Sequence, residues 1–139
     1  MSATPCDQSM HQTKLIFLLS IGFTPLHEAA HSDHLKICQL IMEKSSNKNP
    51  GDHVGCTPFH LAAQEGHFRI CGEFIEQVED KNPRDDDGWT PLHCAAKGCH
   101  GKICELITDN VEDTNPEDNL GRTLKQIWID ETEKLQNVF

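Results

Sequence analysis

Basic residues are scarce in this chain: 12 Lys and Arg stand against 22 Asp and Glu, a formal charge of −10 over 139 residues. So acidic a surface is repelled by phosphate backbones and anionic lipid, which argues against nucleic-acid and membrane-surface binding and favours a basic protein patch as partner. Apolar residues are few as well, at 37%. That is low for a globular core but sufficient for a thin stack that leaves much of its surface exposed. No apolar stretch reaches the length of a membrane span. The short run Leu15-Ile16-Phe17-Leu18-Leu19 lacks the strongly basic start and small-residue cleavage site of a secretory leader. A Gly-rich phosphate loop and a G-x-S-x-G elbow are both missing, so no nucleophile is marked with its base, and neither catalysis nor a cofactor is expected.

What is present is a period. Thr24-Pro25-Leu26-His27, Thr57-Pro58-Phe59-His60 and Thr90-Pro91-Leu92-His93 recur every 33 residues. Each is followed by an alanine pair (Ala29-Ala30, Ala62-Ala63, Ala95-Ala96), and Thr123-Leu124 opens a fourth copy. The segments from Asn49 to Gly55, Asn82 to Gly88 and Asn115 to Gly121 align without gaps, and their fixed Asp and Gly mark a tight turn. Threonine as N-cap with proline at the first helical position predicts a short helix, from Pro58 to Gln64 in the second copy. Alanine pairs let such helices approach closely. After a turn at Glu65-Gly66, a second helix is predicted from His67 to about Gln77, with Phe68, Ile70, Cys71, Phe74 and Ile75 at helical spacing. Leu35, Ile37, Cys38, Ile41 and Met42 match that face in the first copy; Ile103, Cys104 and Ile107 match it in the third. Cys38, Cys71 and Cys104 share one repeat position, too far apart to bridge, which predicts free thiols and an intracellular protein.

In its 33-residue period and its T-P-L-H-x-A pattern the chain resembles the ankyrin-repeat family, from about residue 22 to 130. The resemblance implies an all-α solenoid of helix-turn-helix pairs with short β-hairpin fingers, three repeats plus a partial C-terminal one. Repeat 1 is assigned to residues 15–48, with an atypical apolar start, repeat 2 to 49–81, repeat 3 to 82–114, and a partial capping repeat to 115–139. Residues 1–14 are expected to be disordered. The family pattern also implies that His27, His60, His93, His34, His67 and His100 tie adjacent repeats by hydrogen bonds. What remains near a cluster, Cys94, Cys99, His100 and Cys104, lacks the paired ligand spacing of a zinc site, and no metal is expected.

The chain departs from the family pattern in several places. Ser45, Val78 and Val111 stand where a glycine usually ends the second helix, so the following Asn-Pro is the expected terminator. Asp33 and Cys99 replace the turn glycine of the first and third copies. Residues 16–21 replace the first finger. Trp128 and Ile129 replace the last alanine pair, bulk that stops the stack, and Leu124, Ile127, Trp128, Leu135 and Val138 fit one amphipathic capping helix.

The family resemblance implies a non-catalytic protein–protein interaction module, an adaptor, scaffold or inhibitor, binding through finger tips and the concave face of the first helices. The candidate partner-binding residues are Phe23, His53, Val54, Cys56, Asp86, Asp87, Trp89, Asn119, Leu120 and Arg122 at finger positions. Gln64 and Lys97 join them on inner helix ends, beside His31, Ser32 and Glu65. Trp89 beside Asp85-Asp86-Asp87 stands out as an aromatic anchor flanked by acid; the opposing reading packs it against the neighbouring finger. Asp85-Asp86-Asp87-Gly88 lacks the spaced ligands of a calcium loop. A monomer is expected. The rival expectation is a truncated isoform of a longer ankyrin-repeat protein, with no independent partner or acting by competition, motivated by the apolar run at 15–21.

Overall fold

Threonine, proline and histidine at fixed spacing build every first helix in the same way. In the computed structural model, which describes residue 14 and residues 16–138, the first helices are α1 (Pro25–His31), α3 (Pro58–Glu65) and α5 (Pro91–Lys97). The second helices are α2 (Leu35–Lys44), α4 (Phe68–Gln77) and α6 (Gly101–Thr108), and a longer α7 (Leu124–Val138) follows the fourth finger. Residues 16–20 are also helical, in the place of the first finger. Apart from Lys14, the expectation for residues 1–14 lies outside the described residues.

Thr24, Thr57 and Thr90 hold extended N-cap backbone and accept from the N–H of the histidine three residues on, at 3.3, 3.3 and 3.4 Å. Each histidine reciprocates, its Nδ1 accepting the threonine N–H at 3.0, 3.1 and 3.0 Å. Histidine thus fills the place that Glu or Gln takes in the usual capping box. Because Nδ1 accepts, the ring proton sits on Nε2. That Nε2–H donates across 29 residues of sequence to the carbonyl of the next finger, His27 to Cys56 and His60 to Trp89, both at 2.7 Å. At the third step the equivalent carbonyl is that of Arg122, and the buried His93 Nε2 makes no hydrogen bond.

The turn between paired helices needs a left-handed residue. Gly66 supplies it at φ +82°, while Asp33 and Cys99 are forced to φ +62° and +60°. Beyond the turn, His67 and His100 each donate Nε2–H to a carbonyl of the preceding repeat, His31 at 2.8 Å and Gln64 at 2.9 Å. The second helices lack their C-terminal glycine, and lysine takes over: Lys48 donates to the Met42 and Ser45 carbonyls, Lys81 to the Val78 carbonyl. Two cations thereby satisfy carbonyls that glycine would otherwise help to pair, a device invisible in the Asn-Pro pattern.

The first helices form one layer (α1, α3, α5, α7) and the second helices another (α2, α4, α6), with successive helices of each layer in contact. All three alanine pairs are buried. Cys38 and Cys71 are buried too, and Cys104 partly so. Phe59 stacks on Phe74 with ring centroids 5.4 Å apart, joining the layers in repeat 2. Four expected core residues differ: Ile37, Phe68, Trp128 and Leu135 are about half exposed. Ile37 has no described helix on its outer side. Trp128 and Leu135 are exposed because α7 runs straight on and no second helix among the described residues folds back over them, so Ile127 is the buried contact of this cap. Fingers are tight turns without a strand among the described residues, and the solenoid is all-α.

Burial lowers the pKa of His27, His60 and His93, with carbonyls and carboxylates nearby opposing it. Unfolded histidine titrates near about 6.5, so the unfolded chain takes up more protons as pH falls through that value. The stability these three contribute is therefore complete above about pH 6.5 and declines below it. Urea midpoints should be lower at about pH 5 than at about pH 7, and equal midpoints would contradict the assignment. Separately, Cys99→Gly should raise the urea unfolding free energy by about 1 kcal/mol by relieving positive φ. Gly66→Ala should lower it, since a Cβ there would meet the His100 ring at 2.6 Å.

Candidate functional site

Each finger is shaped by one aspartate. Asp52, Asp85 and Asp118 accept, through Oδ1, the backbone N–H groups two and four residues on, at 2.9–3.0 Å. Their own N–H donates back to Cys56, Trp89 and Arg122, and Gly55, Gly88 and Gly121 close the turns at φ +75° to +78°. Neighbouring fingers join by one backbone bond apiece: His53 N–H to Ile21, Asp86 N–H to Val54, Asn119 N–H to Asp87, at 2.8–2.9 Å. The tips consequently form one aligned edge. Asp85 is therefore a turn-former, and only Asp86 and Asp87 present free carboxylates from the acidic triplet.

The structure sorts the sequence-predicted residues into groups. His53, Val54, Asp86, Asp87 and Leu120 are exposed at the tips. Asn119 is exposed as well, but its Nδ2 donates to the Asp86 carbonyl at 2.8 Å, so it holds fingers together. Phe23 is half buried, its ring 4.9 Å from that of His27. Cys56 is half buried, and burial followed by the charges of Asp52 and Asp85 pushes its thiol up to about 12, so it is inert near neutrality. Gln64 is exposed on α3, and its carbonyl receives the His100 ring.

Trp89, Lys97 and Arg122 come together. The indole N–H donates to Asp118 Oδ2 at 3.0 Å, while Lys97 Nζ and Arg122 Cζ lie 5.6 and 5.8 Å from the ring centroid. Asp118 is nearly fully buried and also accepts from Arg122 Nε at 2.9 Å. Burial alone would raise its pKa, but the hydrogen bonds from Arg122, Leu120 and Trp89 outweigh that and hold it below the usual carboxylate range. Trp89 thus packs against the neighbouring finger and still borders a cleft of about 510 Å³. Lys97, Arg122 and Ile127 line the cleft with Asp130, Glu131, Glu133 and Lys134 of α7. Sequence reading missed these α7 residues; the positions three, four and seven after the buried Ile127 were the signal for three of them.

A second feature missed in the sequence is the H-E-x-x-H spacing of His27, Glu28 and His31, which belongs to zinc hydrolases. Both ring nitrogens of His27 are engaged, by Thr24 and by the Cys56 carbonyl. His31 faces Glu65 at 3.6 Å, and Glu28 accepts from Ser32. Among the described residues no three His, Cys, Asp or Glu side chains converge as metal ligands.

In comparisons with known proteins, the family model described as ankyrin repeats (3 copies) matches residues 26–119. No curated protein matches the chain.

Asp118 and Trp89 dock the fourth finger, where the histidine bond is missing. Asp118→Asn preserves the size but removes the charge. It should cost about 1–3 kcal/mol and speed hydrogen exchange in the fourth finger and α7 while leaving repeats 1 and 2 unchanged. Uniform exchange along the chain would contradict this docking role.

Proposed function

Since the chain belongs to the ankyrin-repeat family, whose repeats are generally protein–protein interaction modules, we propose that it is a non-catalytic adaptor, scaffold or inhibitor. Its partner is another protein with a basic surface, bound along the finger tips and the cleft beside Trp89. The observation that carries this reading is the pair of carboxylates left free at the finger tips. Asp86 and Asp87 stand exposed with no side-chain hydrogen bond or ion pair among the described residues. On the far wall of the cleft Glu133 adds a carboxylate, while Asp130 accepts from Gln126 and Glu131 pairs with Lys134. Acidic groups on a rigid, aligned edge favour fast encounter with a basic partner. Val54 and Leu120, exposed on the tips to either side of Asp86 and Asp87, supply apolar contact flanking the charges. Free thiols at the six cysteines among the described residues support a reducing, intracellular compartment. No described helix is long and apolar enough to cross a membrane.

Trp89 also holds Asp118, so removing the indole would disturb the fold as well as the surface. Charge reversal at the tips avoids that confusion. Affinity capture from cell extract with the intact chain should retain a protein that Asp86→Lys with Asp87→Lys loses by about tenfold or more. The captured protein should elute as salt rises, as exposed charge pairs require. Equal retention by both baits would sink the acidic-edge assignment.

A further inference from the structure

In a stack of equivalent layers, equivalent side chains should be equally covered. Helices α4 and α6 each pack on the second helix before them, and there Ile70 and Ile103 are 0% and 2% exposed. The equivalent residue of α2 is Ile37, and it is 48% exposed. Leu40, one turn further along the same stripe, is 56% exposed. Its equivalents are the polar Glu73 in α4 and the half-buried Leu106 in α6, so α2 leaves exposed the same apolar residue that α6 packs against the core. The far end of the stack is finished differently. Thr108 stands where the buried Met42 and Ile75 do in the other second helices, and α7 occupies the next first-helix place.

Charge singles out the same layer. Over residues 15–48, Glu28, Asp33 and Glu43 are balanced by Lys36, Lys44 and Lys48, so the first repeat is neutral within a chain of net charge −10. Ile16, Phe17, Leu19, Ile37 and Leu40 are five of the ten exposed large apolar side chains among the described residues. Exposed apolar surface is thus concentrated where Coulomb repulsion between two copies is least.

We propose that this face of the first repeat is a homodimer interface, in which α2 packs against α2 of a second copy about a two-fold axis. The kind of surface that covers Ile70 and Ile103 in this fold is a second helix of the same repeat type, and a second copy presents one. A two-fold axis sets the same patch against itself. Head-to-tail stacking is blocked, because α7 already fills the place that the first helix of an incoming copy would need. A basic partner is drawn instead to the acidic repeats, leaving this face free. The surface departs from the monomer expected on sequence grounds.

The test is sedimentation of the full chain under reducing conditions from about 1 to about 200 µM. A monomer–dimer equilibrium is expected, little changed by added salt because the contact is apolar and neutral. Ile37→Glu with Leu40→Lys should weaken it by about tenfold or more, while Leu120→Glu at a finger tip leaves it intact. Hydrogen exchange provides a check that needs no variant: residues 36–44 should gain protection with concentration, and other second helices should not. A monomer at the highest concentration, a dimer that survives the double substitution, or protection rising elsewhere would each overturn the proposal.

Discussion

The structure depends on a neutral histidine held in one tautomer. A threonine N–H points into Nδ1 of His27, His60 and His93, which leaves the proton on Nε2. Through that proton the first helices of repeats 1 and 2 are bonded to the finger of the following repeat. One side chain therefore closes a helix terminus and joins two layers. Thin stacks have little core per layer, so a directional bond between layers helps fix their register where apolar contact alone would let them slide. The same arrangement makes the fold sensitive to acid, because a second ring proton would face a donor instead of an acceptor.

Where that bond is missing, the structure changes its means. His93 Nε2 makes no hydrogen bond within normal limits, although the Arg122 carbonyl lies near it, and Asp118 helps to hold the fourth finger by gathering the Trp89 indole, the Arg122 side chain and two backbone N–H groups. The cost of burying this carboxylate is offset by the number of its donors. A consequence for function is that the most conspicuous aromatic residue belongs both to the docking of the cap and to the wall of the cleft. Any contribution of Trp89 to binding would be inseparable from its contribution to the cap, whereas the free carboxylates at the tips carry no structural duty.

Charge is divided along the stack, and the division would separate the two kinds of contact proposed above. The neutral first repeat exposes apolar side chains, and all of the net negative charge lies beyond it. A surface that must meet its own copy cannot be strongly charged, and one that attracts a basic protein must be. The repeat pattern makes such specialisation possible, because each layer contacts only its neighbours and its outer residues vary independently.

The sequence by itself determined the helices, their pairing into layers and the alignment of the fingers, because Thr-Pro-x-His, the alanine pairs and the turn Asp and Gly act locally and recur at a fixed period. It also showed that Cys38 and Cys71 are core and that α7 is one long helix, though not that Trp128 and Leu135 lie outside its buried face. Tertiary structure alone decided which side of each residue is covered. Ile37 and Ile70 read identically in sequence, yet one is exposed and the other buried, since burial depends on the presence of a neighbouring layer. Asp85, Asp86 and Asp87 likewise look alike, until the turn consumes the first and frees the other two. The cleft joins Trp89 to Glu131 and Lys134 across some forty residues of chain. No local pattern encodes that meeting, because it rests on where α7 lies over α5.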